Sequence, residues 1–359
     1  MRKGIIVLIF LLLFMGRTWA TDTGDLFGAN EVQQALPEEA NDLLDGRDIT
    51  DTEDISGSLQ NILTGALEKS NSTLKNGLAL CGQIFAIILL SAVLRGGGGK
   101  ASEQAVVLAS ILAIGVICVG RVSGFFSIAA QTIDSMTAFS SFLFASLASA
   151  TAATGAVGTS SALYGVTVLI CGVMAKVVET LFLPGISCYM ALMIANSAVG
   201  DDSLKLAGDT LKQLLSNGLK LAVLAFTAYL SLTGVISGSA DSAAIKAAKL
   251  TISTTVPVVG SIIADASETL LVSASLLRSG LGIFGMLGVL AVSIAPFLQT
   301  GCQYLMLKGT AAAASIAGEK ELSGLIGAMA GALGLLTAMT GACTLILMIG
   351  CVCFMKASI

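Results

Sequence analysis

Histidine is absent from the 359 residues. That removes the usual general base, proton shuttle and commonest metal ligand together, and most enzymatic readings fall with it. Charge is scarce as well: Asp, Glu, Lys and Arg make up 12% of the chain, about half the ~25% of a globular protein. Proline occurs four times, tryptophan once, and aromatic residues total 5%. What remains is apolar. The hydrophobic set accounts for 55%, glycine adds 40 residues, and mean hydropathy is +0.90. A soluble surface needs more charge than this, so the chain belongs in a bilayer. The expected fold class is all-α: a polytopic helical membrane protein with about six to eight spans.

The few charges are unevenly placed. Residues 1–20 carry Arg2, Lys3 and Arg17 and no acid, residues 21–72 carry twelve acids against Arg47 and Lys69, and the remainder is slightly basic. The basic start, the apolar run from Ile5 to Met15 and the small residues Thr18 and Ala20 form the pattern of a secretory signal cleaved near Ala20. Residues 21–56 then form an acidic exported segment, much of it expected to be poorly ordered. Two membrane halves come next, 57–200 and 201–359. The first opens with an amphipathic helix over 56–75, whose apolar face carries Leu59, Ile62, Leu63, Ala66, Leu67 and Leu74.

Apolar runs at 76–94, 104–120, 161–183, 186–200, 217–238, 280–298, 301–317 and 330–355 are the candidate spans. The 186–200 run is short, and Pro184-Gly185 before it points to a re-entrant hairpin. The exported tail and the Arg95/Lys100 pair place the 95–103 loop in the cytoplasm and the N-terminal segment outside. Later loops mix Lys205, Lys212 and Lys220 with Asp201, Asp202 and Asp209, which leaves the remaining orientation open.

Between the spans lie helices of another kind. Over 121–150, Ser123, Ser127, Gln131, Asp134, Ala138, Ser141, Ala145 and Ser149 share one face, opposite Phe125, Ile133, Met136, Phe139, Leu143 and Leu147. Over 261–279 the pattern recurs, with Ser261, Asp265, Glu268, Ser275 and Ser279 on one stripe. Such helices either lie in the membrane interface or stand in the bundle with the stripe facing a cavity. Asp265 and Glu268, with Arg278 beyond them, either line an ion or solute path or form a solvated face.

The two striped segments align at an offset of 134 residues. Asn76–Leu80 resembles Asn217–Leu221 and Ser197–Leu204 resembles Ser315–Leu322, in the same order. The three matches suggest an internal duplication, a common construction of membrane conduits. Lys176 and Glu179 sit three apart inside an apolar span and can neutralise each other; they are either a functional intramembrane pair or a structural one that snorkels. Gly324, Gly327, Gly331, Gly334 and Ala338 make a smooth stripe suited to close helix packing. Arg95-Gly96-Gly97-Gly98-Gly99-Lys100 is not a phosphate loop, because Ala101 stands where a Ser or Thr is required and no strand precedes it. All eight cysteines lie in apolar stretches, and Cys351-x-Cys353 has the wrong spacing for the common zinc motifs. No metal, cofactor or nucleic acid is expected.

Several stretches carry a family resemblance. They are the signal with its acidic exported segment, the first span ending Ser91-Ala92-Val93-Leu94-Arg95-Gly96-Gly97, and above all Pro257-Val258-Val259-Gly260-Ser261-Ile262-Ile263-Ala264-Asp265-Ala266-Ser267-Glu268-Thr269, continuing through Leu276-Leu277-Arg278-Ser279-Gly280 to Pro296. In these the chain resembles the stage III sporulation protein AE family of endospore-forming bacteria. The resemblance implies a non-enzymatic, multi-pass protein of the mother-cell membrane around the forespore, a core component of a channel or secretion-like complex joining the two cells. It further implies partners among the other stage III A-operon proteins, including a cytoplasmic ATPase and ring-forming proteins, and a forespore-side partner protein; a homo-oligomer is compatible with it. The residues alone also admit a stand-alone secondary permease, or a membrane scaffold with no conduit.

Overall fold

A computed structural model describes the backbone of residues 28–44, 55–95, 100–255 and 260–356, and their side chains except at 100–102 and 230–274. Among the described residues every regular element is helical. Two short helices, α1 (Ala29–Gln34) and α2 (Glu38–Leu43), precede the rods α3 (Ile55–Arg95) and α4 (Lys100–Ala153). Helix α5 (Val157–Val177) runs through a π turn at Val178–Phe182 into α6 (Leu183–Val199). Then come α7 (Asp202–Thr255), α8 (Gly260–Ile316) and α9 (Lys320–Lys356).

The eight apolar runs lie on six rods. The lead-in 56–75 and the run 76–94 are one helix, as are 104–120 and the striped segment 121–150. The stripe therefore stands upright in the bundle instead of lying in the interface. Pro184-Gly185 makes no hairpin. The preceding π turn widens the hydrogen-bonding to i+5, and the helix passes a residue that has no N–H to give. Runs 280–298 and 301–317 likewise form one helix through Pro296. Five helical stretches are long and apolar enough to cross a membrane: Ile55–Arg95, Glu103–Ala153, Val157–Val199, Ser275–Ile316 and Lys320–Lys356. The run 217–238 falls on α7, where only part of the side chains are described.

Close approaches fix how the rods are staggered. Glycines 208, 185 and 218 meet Met193, Leu215 and Phe182, which sets α7 antiparallel to α6. Glycines 285 and 288 meet Leu143 and Phe139, setting α8 against α4, and Gly334 meets Tyr304 of α8. Successive rods thus alternate in direction, with α4, α7 and α9 running the same way. Gly77, Arg121, Phe182, Gly218, Gln303 and Gly334 come out at one height. Below it lies a first tier, towards Arg95 and Glu319; above it a second, towards Ala153 and Lys356. From Gly77 to Arg95 the rise is about 27 Å, and from Gly334 to Lys356 about 33 Å, at 1.5 Å per residue. Each tier therefore matches one ~30 Å hydrocarbon core.

Helices α8 and α9 form the centre: 56% and 50% of their most apolar windows are buried, against 28–33% for the other candidate spans. At the first-tier end Gly200 and Gly318 adopt positive φ of 74° and 86°, where a side chain would be strained, and turn the α6–α7 and α8–α9 hairpins. Arg95 ties that end together. Its guanidinium donates to Glu103 and to the nearly buried Glu319, each at 2.7 Å.

Residues 28–44 of the acidic segment form α1 and α2, which pack on the bundle. Val32, Leu36, Ala40, Leu43 and Leu44 are buried at helical spacing while Glu31, Glu38, Glu39 and Asp42 face outward. Leu36 packs against Gly288 and Leu43 against Gly65, and Ser146 Oγ donates to the Gly28 carbonyl at 3.1 Å. The matched repeats share no single operation. The first two pairs run in opposite directions in the bundle, whereas the two hairpins run in the same sense.

Candidate functional site

The polar stripe of α4 is the largest sequence-predicted feature on described residues. Phe125, Ile133, Met136, Phe139, Leu143 and Leu147 are buried, as an apolar face should be. Ser127, Gln131 and Asp134 are exposed, together with Ser123, Ser141 and Ser149. Most of the stripe faces out of the bundle, while Gln131 borders a cavity against α2 and α8. Its serines return their hydroxyls to the helix, Ser141 to Ala138 and Ser149 to Ala145, and Gln131 Nε2 donates to Ser127 Oγ at 3.3 Å. Of the second stripe, Ser261, Asp265 and Glu268 lie outside the described side chains. Ser275 is half-buried, and its carbonyl accepts the Ser279 hydroxyl at 3.0 Å.

Lys176 and Glu179 form the expected pair, Nζ to Oε2 at 3.1 Å, on the outer surface with side chains 70% and 71% exposed. They line no described cavity. Of the glycine stripe, Gly331 and Gly334 pack closely. A Cβ on Gly331 would come within 2.8 Å of Tyr189 Oη and one on Gly334 within 3.2 Å of the Tyr304 ring. Gly324 has open space around it and Gly327 only the Ala311 methyl at 4.0 Å, so the packing face is its distal half.

Sequence reasoning missed a polar seam where α3, α4 and α8 meet. Pro296 has no N–H, so the Val292 carbonyl loses its helical donor. Both residues line a cavity of about 510 Å³ with Gln131, Thr132, Ser135 and Gln299, roofed by Glu38, Glu39 and Lys69. Lys69 Nζ donates to the Glu39 carbonyl at 2.9 Å. One helical turn below Gln299, Gln303 borders a second cavity of about 270 Å³ with Thr73, Asn76 and Arg121; Ile128 borders both. Gln303 is 2% exposed, and its Nε2 has no hydrogen-bond partner among the described residues. Its Oε1 lies against Gly77, where any side chain would clash. A buried amide with a spare donor beside a space of that size can hold water or a polar group. The seam enters from the second tier and stops at the dividing height.

Long apolar helices with an exposed polar stripe and a polar seam between α3, α4 and α8 define a polytopic α-helical membrane protein. The profile of the stage III sporulation protein AE family matches residues 46–358, nearly the whole chain. The chain belongs to that family and is a sporulation membrane component. No curated protein and no solved structure matches it.

Proposed function

We propose that the protein is a non-enzymatic core component of a channel-type assembly in sporulation, and that the water-filled path forms against its outer surface. The observation that carries this is the α4 stripe: Ser123, Ser127, Asp134, Ser141 and Ser149 stand exposed along one face of the helix. An exposed polar face of this length suits water or a partner protein and not lipid tails. The rods pack a buried apolar interior, and the polar seam ends blind, so a path along one chain is not the favoured reading. Further copies or partner proteins set against α4 would close the conduit.

On this reading the acidic N-terminal segment lies outside the cytoplasm, and Arg95, Lys100 and Lys320 face the cytoplasm with the first-tier turns. The family resemblance favours the mother-cell membrane around the forespore, with the stage III A-operon ATPase, ring-forming proteins and a forespore-side protein as partners. The absence of histidine supports a role without catalysis. The permease alternative loses ground because Lys176 and Glu179 sit on the outer surface.

The test uses single cysteines at 127, 131, 134 and 141 in an otherwise cysteine-free chain, probed in sporulating cells with a small membrane-impermeant thiol reagent. Labelling along the whole stripe in the intact assembly is expected. Protection of all four in the assembly, with labelling once partners are deleted, would instead mean that the stripe is a dry scaffold contact.

A further inference from the structure

On the opposite side of the bundle, α7, α8 and α9 enclose a trough of about 890 Å³. Its floor is the smooth face of α9: Gly331, Gly334, Ala338 and Gly341. Three lysines border it, Lys212 and Lys220 two turns apart on α7 and Lys308 on α8. None of the three has a carboxylate within ion-pair distance among the described residues; Asp209, one turn before Lys212, makes no bridge to it. Lys212 Nζ instead lies 5.9 Å from the centre of the Tyr189 ring. The remaining walls, including Phe297, Leu224 and Leu345, are apolar.

Three ammonium groups with no carboxylate partner among the described residues make the trough attractive to an anion. An anion alone would leave the trough beyond it unfilled. From Gly331 to Leu345 the floor runs about 21 Å at 1.5 Å per residue, longer than the ~15 Å depth of one leaflet's hydrocarbon. Glycines 331, 334 and 341 let Tyr189, Tyr304 and Phe297 lie close against that floor, and exposed Leu221, Leu224 and Tyr229 carry the apolar surface outward beside it. Basic pockets between membrane helices are where anionic headgroups settle.

We infer that this trough is a binding site for an anionic phospholipid drawn from the surrounding bilayer. The phosphate sits among Lys212, Lys220 and Lys308, and one acyl chain lies along the α9 floor towards Leu345. The site is on the far side of the molecule from the α4 stripe and does not depend on the channel reading.

Native mass spectrometry of the full-length protein in neutral detergent tests it, with phosphatidylglycerol and phosphatidylcholine offered in equal amounts. The anionic lipid should be retained preferentially, by about fivefold per lysine and on the order of 100-fold for all three. The combined K212A/K220A/K308A change should bring retention down to the phosphatidylcholine level. The corresponding arginine replacements should keep it, because guanidinium also binds phosphate. Ala338→Trp, which fills the trough but leaves the charges, should abolish it too. Undiminished retention in either the triple alanine variant or Ala338→Trp would overturn the inference. Displacement of the lipid by inorganic phosphate alone would overturn it in favour of a free-anion site. Equal loss in the arginine and alanine variants would overturn the charge argument.

Discussion

Helices α4 and α7 are both 54 residues long and run in the same direction through the bundle, yet they order their surfaces oppositely. Helix α4 is apolar in the first tier, where Leu108, Leu112, Val116 and Val119 are exposed, and polar in the second, where Ser127, Gln131 and Asp134 are exposed. Helix α7 begins with Asp202, Lys205, Asp209 and Lys212 interspersed with exposed Leu206 and Leu214 in the first tier, and among its described side chains exposes Leu221, Leu224 and Tyr229 just above the dividing height. A flat slab about 30 Å thick laid square to the rods can cover one apolar half or the other, not both. The apolar belt therefore runs obliquely, low on the α4 side and high on the α7 side. The α5–α6 rod, which exposes Tyr164, Val168 and Leu169 above and Val199 below, joins the two. The Lys176–Glu179 pair interrupts it and neutralises itself.

The largest expected effect comes from placing one charge on each half in turn. Leu112→Lys on α4 and Leu224→Lys on α7 should each cost about 3 kcal/mol of membrane insertion, while Ser127→Lys and Leu206→Lys should cost close to nothing. Quantifying membrane-integrated protein for the four variants checks this. Equal penalties in both halves of either helix would break the comparison. A smaller effect is expected at the ion pair. Lys176→Leu or Glu179→Leu alone leaves a lone charge in the belt and should cost about 2 kcal/mol, whereas replacing both should be close to neutral, read from thermal unfolding in lipid nanodiscs. If the single changes are as mild as the double, the pair lies in water and the belt does not cross α5–α6. The smallest effect is at the dividing height on the α3–α8 contact. Gly77→Ala should cost about 1 kcal/mol by pushing Gln303 aside, and Gln303→Ala should relieve that cost in a double-mutant cycle.

Much of this architecture is legible in the sequence. The apolar face of 121–150 is buried at Phe125, Ile133, Met136, Phe139, Leu143 and Leu147, because a 3.6-residue period fixes which side chains share a face. A period does not say where a helix begins or ends, so the stripe's upright stance, continuous with 104–120, is set by packing. Proline misleads for the same reason: Pro184 reads as a break locally, but a π turn before it absorbs the missing donor. The polar seam and the Arg95–Glu319 bridge leave no local trace. Gln303 lies in a run that lysine and alanine make look weakly membrane-like, and its reason for being there is Gly77, on another helix. Glu319 reads as one more loop acid until the fold brings it to a guanidinium 224 residues away.

The oblique belt is tested most directly by spin labels at 112 and 127 on α4 and at 206 and 224 on α7, in the full-length protein reconstituted in nanodiscs. Electron paramagnetic resonance would compare accessibility to oxygen, which concentrates in lipid, with accessibility to a water-soluble nickel complex. The account predicts oxygen dominance at 112 and 224 and nickel dominance at 127 and 206. Oxygen dominance at 112 and 206 with nickel dominance at 127 and 224 would describe a flat membrane around the first tier alone, and would contradict it.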